Sequence, residues 1–493
     1  MTIAVPDASI VNSNVNILIN YMKNPNSART VTGVTITRYS STDTALETKG
    51  GLSVTGFTAG ALTASALSTE SSVTNYNVVG ATGQKLVVSM TPGNPVPADG
   101  QLQVEFPYWD YQSTTQMIAA DTPSCAGVVS LNALLTCSFV SSSRTLTVSG
   151  LSANEISTIF SFSVDNFLNP VTTAAFSGFT LRTLDASGNQ IDSGSSASLT
   201  VTTPATLTNA AISQSIVSGS IQKTVGELTT MEVQFLSPVP LNTNCQLTFV
   251  FPSDLPIEPS SLILYQGDIG IVATTSTTFV EKTTTNVKIN GCSTVLPQNS
   301  LGLVKFTNIR NPSKVKSTSS IEIYLDDSSG NRIAQITAGV IIADTALSPG
   351  TIGSVTATIQ PSSEVQQTGR TFAIELLPPH SLTASSKIVF VFPTRLTLAS
   401  TCTLSNLQGG ISSSVACAVD TVTKTYTVTS VFDSGYTPSS TVLSLTFASA
   451  DNPQSAGSAG SITITTYEIE SGTDYVVDSF TSTDTVTITA GAL

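Results

Sequence analysis

Two proline marks recur in register along the 493 residues, and no other feature constrains the fold as tightly. Phe-Pro closes an apolar run at Phe106-Pro107, Phe251-Pro252 and Phe392-Pro393. Asn-Pro stands at Asn24-Pro25, Asn169-Pro170, Asn311-Pro312 and Asn452-Pro453. From each Phe-Pro to the next Asn-Pro the prolines lie 63, 60 and 60 residues apart, and successive Asn-Pro prolines are separated by 145, 142 and 141. Such punctuation describes a tandem array with a period of about 142 residues, an ordinary size for one domain.

Around the marks the apolar residues recur with period two, the period of a strand. Leu102-Gln103-Val104-Glu105-Phe106 alternates strictly, while Leu247-Thr248-Phe249-Val250-Phe251 and Ile388-Val389-Phe390-Val391-Phe392 are apolar enough to predict strands buried on both faces. Proline has no N–H for a ladder, so it ends each run at the same place. Beyond three of the Asn-Pro marks lie further strand-like runs at 179–184, 321–325 and 462–465. The first two lead into Asp185-Ala186-Ser187-Gly188-Asn189 and Asp327-Ser328-Ser329-Gly330-Asn331, which have the composition of hairpin tips. Only 10% of residues are charged against 40% hydrophobic, and Ser and Thr fill the polar places, a mixture suited to a pleated, half-buried surface. Seven to nine short strands per period, without helical periodicity, predict an all-β fold of tandem immunoglobulin-like β-sandwich domains arranged as a rod. A barrel is the alternative.

Boundaries fall near 58/59, 204/205 and 346/347, dividing the chain into 1–58, 59–204, 205–346 and 347–493. Residues 1–25 align without a gap to 146–170, so 1–58 is the C-terminal part of an incomplete β-sandwich repeat. Half a sandwich cannot close its own core. Its apolar run at 15–20 is therefore expected to be covered by preceding residues of a longer polypeptide or by a neighbour.

Six cysteines fall two to a repeat: Cys125 and Cys137, Cys245 and Cys292, Cys402 and Cys417. One pair per domain selects a single sensible pairing, three intradomain disulfides, which persist in oxidising compartments. Buried reduced thiols are the alternative, since Cys245 precedes its Phe-Pro whereas Cys125 and Cys402 follow theirs. Asn-x-Ser/Thr sequons are absent despite the abundance of Ser and Thr, and those hydroxyls invite O-linked sugar instead.

The inventory of reactive groups disfavours an enzyme. His380, the one histidine, sits in the turn Leu377-Pro378-Pro379-His380-Ser381, and there is no Cys/His cluster, no phosphate-binding glycine loop and no basic run. With 19 Lys+Arg against 32 Asp+Glu the chain is a poor partner for nucleic acid, and no apolar run is long enough for a transmembrane helix. Calcium is the cation that tandem extracellular sandwiches use at their joints, and Asp165-Asn166, Asp185, Asp326, Asp327 and Asp451-Asn452 are the Ca2+ candidates. Lacking regular Asp-x-Asp spacing, they read better as turn caps. Tyr108, Trp109 and Tyr111 form an aromatic loop in one repeat only, with the composition of an interface hot spot or of a packed sandwich end.

The run from Asn94-Pro95-Val96-Pro97-Ala98-Asp99-Gly100 into Leu102–Pro107, with the later Asn169-Pro170 and the turn Asp185–Asn189, resembles tandem-repeat extracellular proteins of ciliates and related protists. Ser237-Pro238-Val239-Pro240 and Leu377-Pro378-Pro379 carry weaker forms, without the glycine of Asp99-Gly100. The resemblance implies a large surface or matrix-like protein and carries no site residues. The expected function is structural: an extracellular or cell-surface rod or filament, self-associating through its flanks or continued by further repeats of the same polypeptide. An adhesin stalk or receptor ectodomain, binding a ligand through its loop tips, is the alternative.

Overall fold

A computed structural model describes residues 17–110, 113–119, 122–195, 197–215, 221–258, 263–267, 279–292, 294–360, 363–438, 442–482 and 487–491. The described residues are almost wholly β, with one short 3-10 turn at Asp344–Ala346. Contacts divide the chain into two compact units, Met1–Pro170 with Ala174–Thr202, and Val171–Thr173 with Thr203–Leu493.

One sheet order recurs three times. In the first unit a six-stranded sheet runs Gly60–Ala61, Gln190–Gly194, Thr180–Leu184, Gln101–Glu105, Thr145–Ser149, Thr136–Val140. The second unit repeats it twice, with Gln246–Val250 and Lys387–Val391 in the place of Gln101–Glu105. Each six-stranded sheet faces a smaller one, which in the first unit runs Ala64–Thr69, Gln84–Thr91, Phe160–Phe167, Cys125–Val129. Rings from opposed sheets meet edge-on, Phe249 against Phe306 at 5.1 Å and Phe390 against Phe447 at 5.0 Å, as the inner faces of a β-sandwich do.

The strands expected to be buried on both faces are not. Leu247 and Phe249 are fully buried while Thr248 and Val250, which alternate with them, are half-buried, and Val391 is 38% exposed. Each strand is central in its own sheet, but a two-layer sandwich covers only the inner face, so valine on the outer face remains wet. The Phe of each Phe-Pro points inward and is at most 2% exposed.

The hairpin Val31–Tyr39 with Ala45–Val54 stands apart as a two-stranded sheet whose residues are mostly exposed. It repeats the geometry of Thr180–Leu184 with Gln190–Gly194, down to a bulge at the matching place: before Tyr39 in one and before Leu184 in the other. In the complete sandwiches the first strand of this hairpin also pairs with the Phe-Pro strand, and among the described residues that edge has no such partner here. Ile17, Leu18, Ile19 and Asn20 are exposed, and residues 15 and 16 of the run lie outside the described residues.

Candidate functional site

In a chain built of repeats, the places with work to do are the segments that leave one sandwich and meet the next, and these carry the Asn-Pro marks. Three of the four marked asparagines, Asn169, Asn311 and Asn452, are clamped to a distant turn. The buried Asn169 amide donates from Nδ2 to the carbonyls of Tyr76 and Val78 at 2.9 and 2.8 Å, and its backbone N–H donates to Ala81. Asn311 holds the carbonyls of Gln222 and Thr224 and donates its N–H to Glu227, and Asn452 holds Glu364 and donates to Gln367. The following proline has no N–H, but its carbonyl accepts from Gly80, Gly226 and Gln366 respectively. All three donors have positive φ, 67°, 69° and 59°, where glycine sits freely and Gln366 does not.

Four residues past the asparagine the backbone reaches a neighbouring hairpin. Within the first unit, Ala28 N–H donates to the Gln190 carbonyl at 2.7 Å and Ser27 Oγ to Asp185 Oδ2 at 2.7 Å. Within the second, Thr173 N–H donates to Arg332 at 3.1 Å and Thr172 Oγ1 to Asp327 Oδ2 at 3.1 Å. Val315 N–H donates to Val476 at 2.8 Å, and Lys314 pairs with Glu468 and Glu470. Gln190, Arg332 and Val476 occupy the same place, just across the bulge of their hairpins. Asp185 and Asp327 work at both ends, each using Oδ1 to tie its own turn and Oδ2 to receive the incoming hydroxyl.

A second contact lies between the two sandwiches of the second unit. His380 Nδ1–H donates to Asp478 Oδ1 at 2.6 Å, with Asp478 fully buried. The imidazole lies so close to Gly226 and Gly350 that a Cβ on either would stand 2.7 and 2.5 Å from the ring. Arg310 holds the Gly226 carbonyl at 2.6 Å and pairs with Glu258, and Glu227 adds a second negative charge near the ring. In the first unit Asn94 takes the place of His380 and Asp192 that of Asp478, with Gly93 and Asn94 backbone N–H groups also on the carboxylate. Pro379 stands where Gly93 does and supplies no such donor. In the middle sandwich the matching places hold Val239 and Ala334, both buried and apolar.

The hydrogen bond to Asp478 raises the His380 pKa above its ordinary value, against the opposing effect of burial. A raised folded-state pKa means this contact stabilises fully below the ordinary histidine pKa of about 6.5, and its contribution is lost as pH rises through the folded value. His380→Asn, which copies the first unit, is expected to flatten the pH dependence of the second unit's thermal midpoint. A wild-type midpoint that instead climbs as pH rises from about 6 to about 8 relative to the variant contradicts the assignment.

The other sequence candidates are placed as follows. Cys125–Cys137 joins edge strands of opposed sheets, Cys402–Cys417 ties the connection before Leu404–Gln408 to the edge strand Ala416–Asp420, and Cys245–Cys292 joins the ends of neighbouring strands in one sheet. Trp109 is 5% exposed, packed over the sandwich end, and its indole N–H donates to the Asn169 carbonyl at 2.8 Å, so its bulk supports the clamp. Tyr108 is half-buried beneath the Arg144 guanidinium, and Tyr111 lies outside the described residues. Of the Ca2+ candidates, Asp185 and Asp327 cap turns, Asp326 pairs with Arg332, Asp451 accepts from Gly369 and Asp165 lies 3.7 Å from Lys85. Among the described residues no three His, Cys, Asp or Glu side chains gather to hold a metal, and no helix is long and apolar enough to cross a membrane.

No protein-family model and no curated protein matches the chain. Solved structures similar to it include the C-terminal domain of the Streptococcus pyogenes antigen I/II-family protein AspA, at 9% identity over 56% of this chain and 99% of that one, with a TM-score of 0.22. The serine-rich repeat protein Srr2 of Streptococcus agalactiae is similar at 10% identity, over 56% of this chain and 93% of that one, with a TM-score of 0.18. The partial N-terminal region of the enterococcal surface protein is similar at 11% identity, over 58% and 96%, with a TM-score of 0.19. All three are bacterial, unlike the protist proteins of the sequence resemblance, and TM-scores this low carry no inference about this chain's function or source.

Proposed function

We propose that the chain is a structural, non-enzymatic segment of an extracellular or cell-surface protein, in which sandwich repeats are held end to end as a rod. Its divisions are those of the proline marks: a partial repeat at 1–58, then 59–204, 205–346 and 347–493. What carries this reading is the joint, the same backbone hydrogen bond made three times at the fourth residue past the asparagine of Asn-Pro. A joint remade with Ser, Thr and Lys side chains is organised by the backbone, as a solenoid or array requires when stability is a sum of repeat and neighbour terms. Three disulfides support an oxidising environment. The hydroxyl-rich outer faces carry little charge to keep copies apart, and O-linked sugar or lateral packing occupies them. The one imidazole is hydrogen-bonded to Asp478 where two sandwiches of the second unit meet, which supports a structural part for it.

Electron microscopy of the native material tests this directly. Threads or fibres at the cell surface are expected; dispersed compact particles inside the cell would defeat it.

A further inference from the structure

In each complete sandwich the first strand and the last lie side by side in the six-stranded sheet. Gly60–Ala61 pairs with Gln190–Gly194, Ala205–Thr206 with Arg332–Ile336 and Gly350–Thr351 with Thr473–Thr481, and all three pairs are parallel. The other strands of these sheets pair antiparallel. The register is the same each time: Gly60 stands opposite Asp192, Ala205 opposite Ala334 and Gly350 opposite Asp478. Just past the first strand, the N–H groups of Leu62, Leu207 and Ile352 donate to the carbonyls of Ser193, Gln335 and Ser479 at 3.1, 3.0 and 3.1 Å.

The segment that leaves each sandwich is held a second time. The N–H groups of Thr202, Ser348 and Thr489 donate to the carbonyls of Asn77, Lys223 and Ser363 at 3.1, 2.9 and 3.0 Å. The bridges of Thr224 to Ser348 and of Glu364 to Thr489 are again parallel. The Asn-Pro asparagines grip the next residue along, Val78, Thr224 and Glu364, so each clamp anchors the turn that holds the departing segment. Within the second unit only Pro349 separates Ser348, held by one sandwich, from Gly350, which opens the next, so the connection has no slack.

Tension on the chain draws the first strand of a sandwich toward its N-terminal end and the last strand toward its C-terminal end. In a parallel pair those ends lie at opposite ends of the ladder, so the strands are drawn past one another and their hydrogen bonds share the load. An antiparallel pair in the same place would be pulled at one end, and its bonds would open one after another. We propose that the three parallel pairs are load-bearing elements and that the array carries tension along its chain. This rests on the array reading above and adds to it a direction in which each sandwich resists. The resistance is a property of the opening rate along the pull, which equilibrium stability does not fix.

Single-molecule force spectroscopy of the full, oxidised chain in two pulling geometries tests this. Held by its two ends, the chain is expected to give three separate releases. The disulfides keep 12, 47 and 15 residues of a period of about 142 from extending. The middle sandwich therefore frees about 95 residues, about 320 Å of contour, and each of the others about 130 residues, about 440 Å. In the second geometry one handle is moved to the exposed hairpin tip before Arg332–Ile336, on the azide of Ser328→azidophenylalanine, and the other stays at the N-terminal end. The middle pair is then pulled at the N-terminal ends of both its strands and peels, while the first sandwich on the same tether is still sheared. The middle sandwich is expected to open at a several-fold lower force than the first, and than in the end-to-end pull, with an unchanged melting curve. Equal forces for the middle sandwich in the two geometries would overturn the load-bearing assignment and leave the array reading standing, since the three releases remain. A single release of the whole chain, or lengths unrelated to the disulfides, would remove both.

Discussion

Phe392→Ala is expected to cost about 3–5 kcal/mol, the usual range for emptying a fully buried phenylalanine site. Phe392 is 2% exposed and its ring meets Phe372, Tyr426 and Phe447, so the lost side chain leaves a cavity lined from both sheets of the last sandwich. Val391, the preceding residue, points to the outer face and is 38% exposed. Val391→Ala is therefore expected within about 0.5 kcal/mol of wild type. Denaturant titration of the two variants separates the cases: the midpoint should fall sharply for Phe392→Ala and hardly move for Val391→Ala, with the slope preserved in both. Similar losses at the two positions would mean that the strand is buried on both faces after all.

Replacing Cys245 and Cys292 together by alanine is expected to destabilise the middle sandwich more than removing either other bridge destabilises its own. The sequence separations are 47 against 12 and 15, and chain entropy assigns about 4 kcal/mol to the long loop and about 3 kcal/mol to each short one. Both cysteines of the long loop are fully buried, so the alanine variant also loses packing. Denaturation of the three double variants gives the order. A smaller loss for the Cys245–Cys292 pair than for Cys125–Cys137 would show that residual structure in the unfolded chain, and not loop length, governs these bridges.

The fold was legible because its signals are local. Alternating runs such as Leu102–Phe106 declare strands, and proline after phenylalanine declares where they stop. The five-residue turns from Asp185 and Asp327 also read correctly as hairpin tips, since the aspartate ties its own turn. Burial on the outer face misread as core at Val250 and Val391 because side-chain type does not say whether a second layer covers that face.

The joints were not legible, because their partners are far apart in sequence. The carbonyls held by Asn169 lie 91 to 94 residues away, and Asp478 lies 98 from His380. Asn-Pro could be seen as punctuation but not as a clamp. One signal was nonetheless present in the three repeats when compared position by position. Gly60, Asn94 and Asp192 change together to Ala205, Val239 and Ala334, and then to Gly350, His380 and Asp478. A buried carboxylate needs a donor beside it and a neighbour without a Cβ, whereas an alanine needs neither; a Cβ at Gly60 or Gly350 would lie 2.4 or 2.1 Å from that carboxylate. That grouping pointed to a joint contact which His380, read alone as a turn residue, did not reveal.

Small-angle X-ray scattering from the dilute, oxidised chain tests the central claim that these sandwiches are held end to end. A compact globule of 493 residues would have a radius of gyration of roughly 23 Å. The account predicts a value well above that, with the distance distribution of an elongated particle that shortens or softens when the clamps at Asn169 and Asn311 are removed. A radius near the globular value, or an elongated profile indifferent to both substitutions, would contradict it.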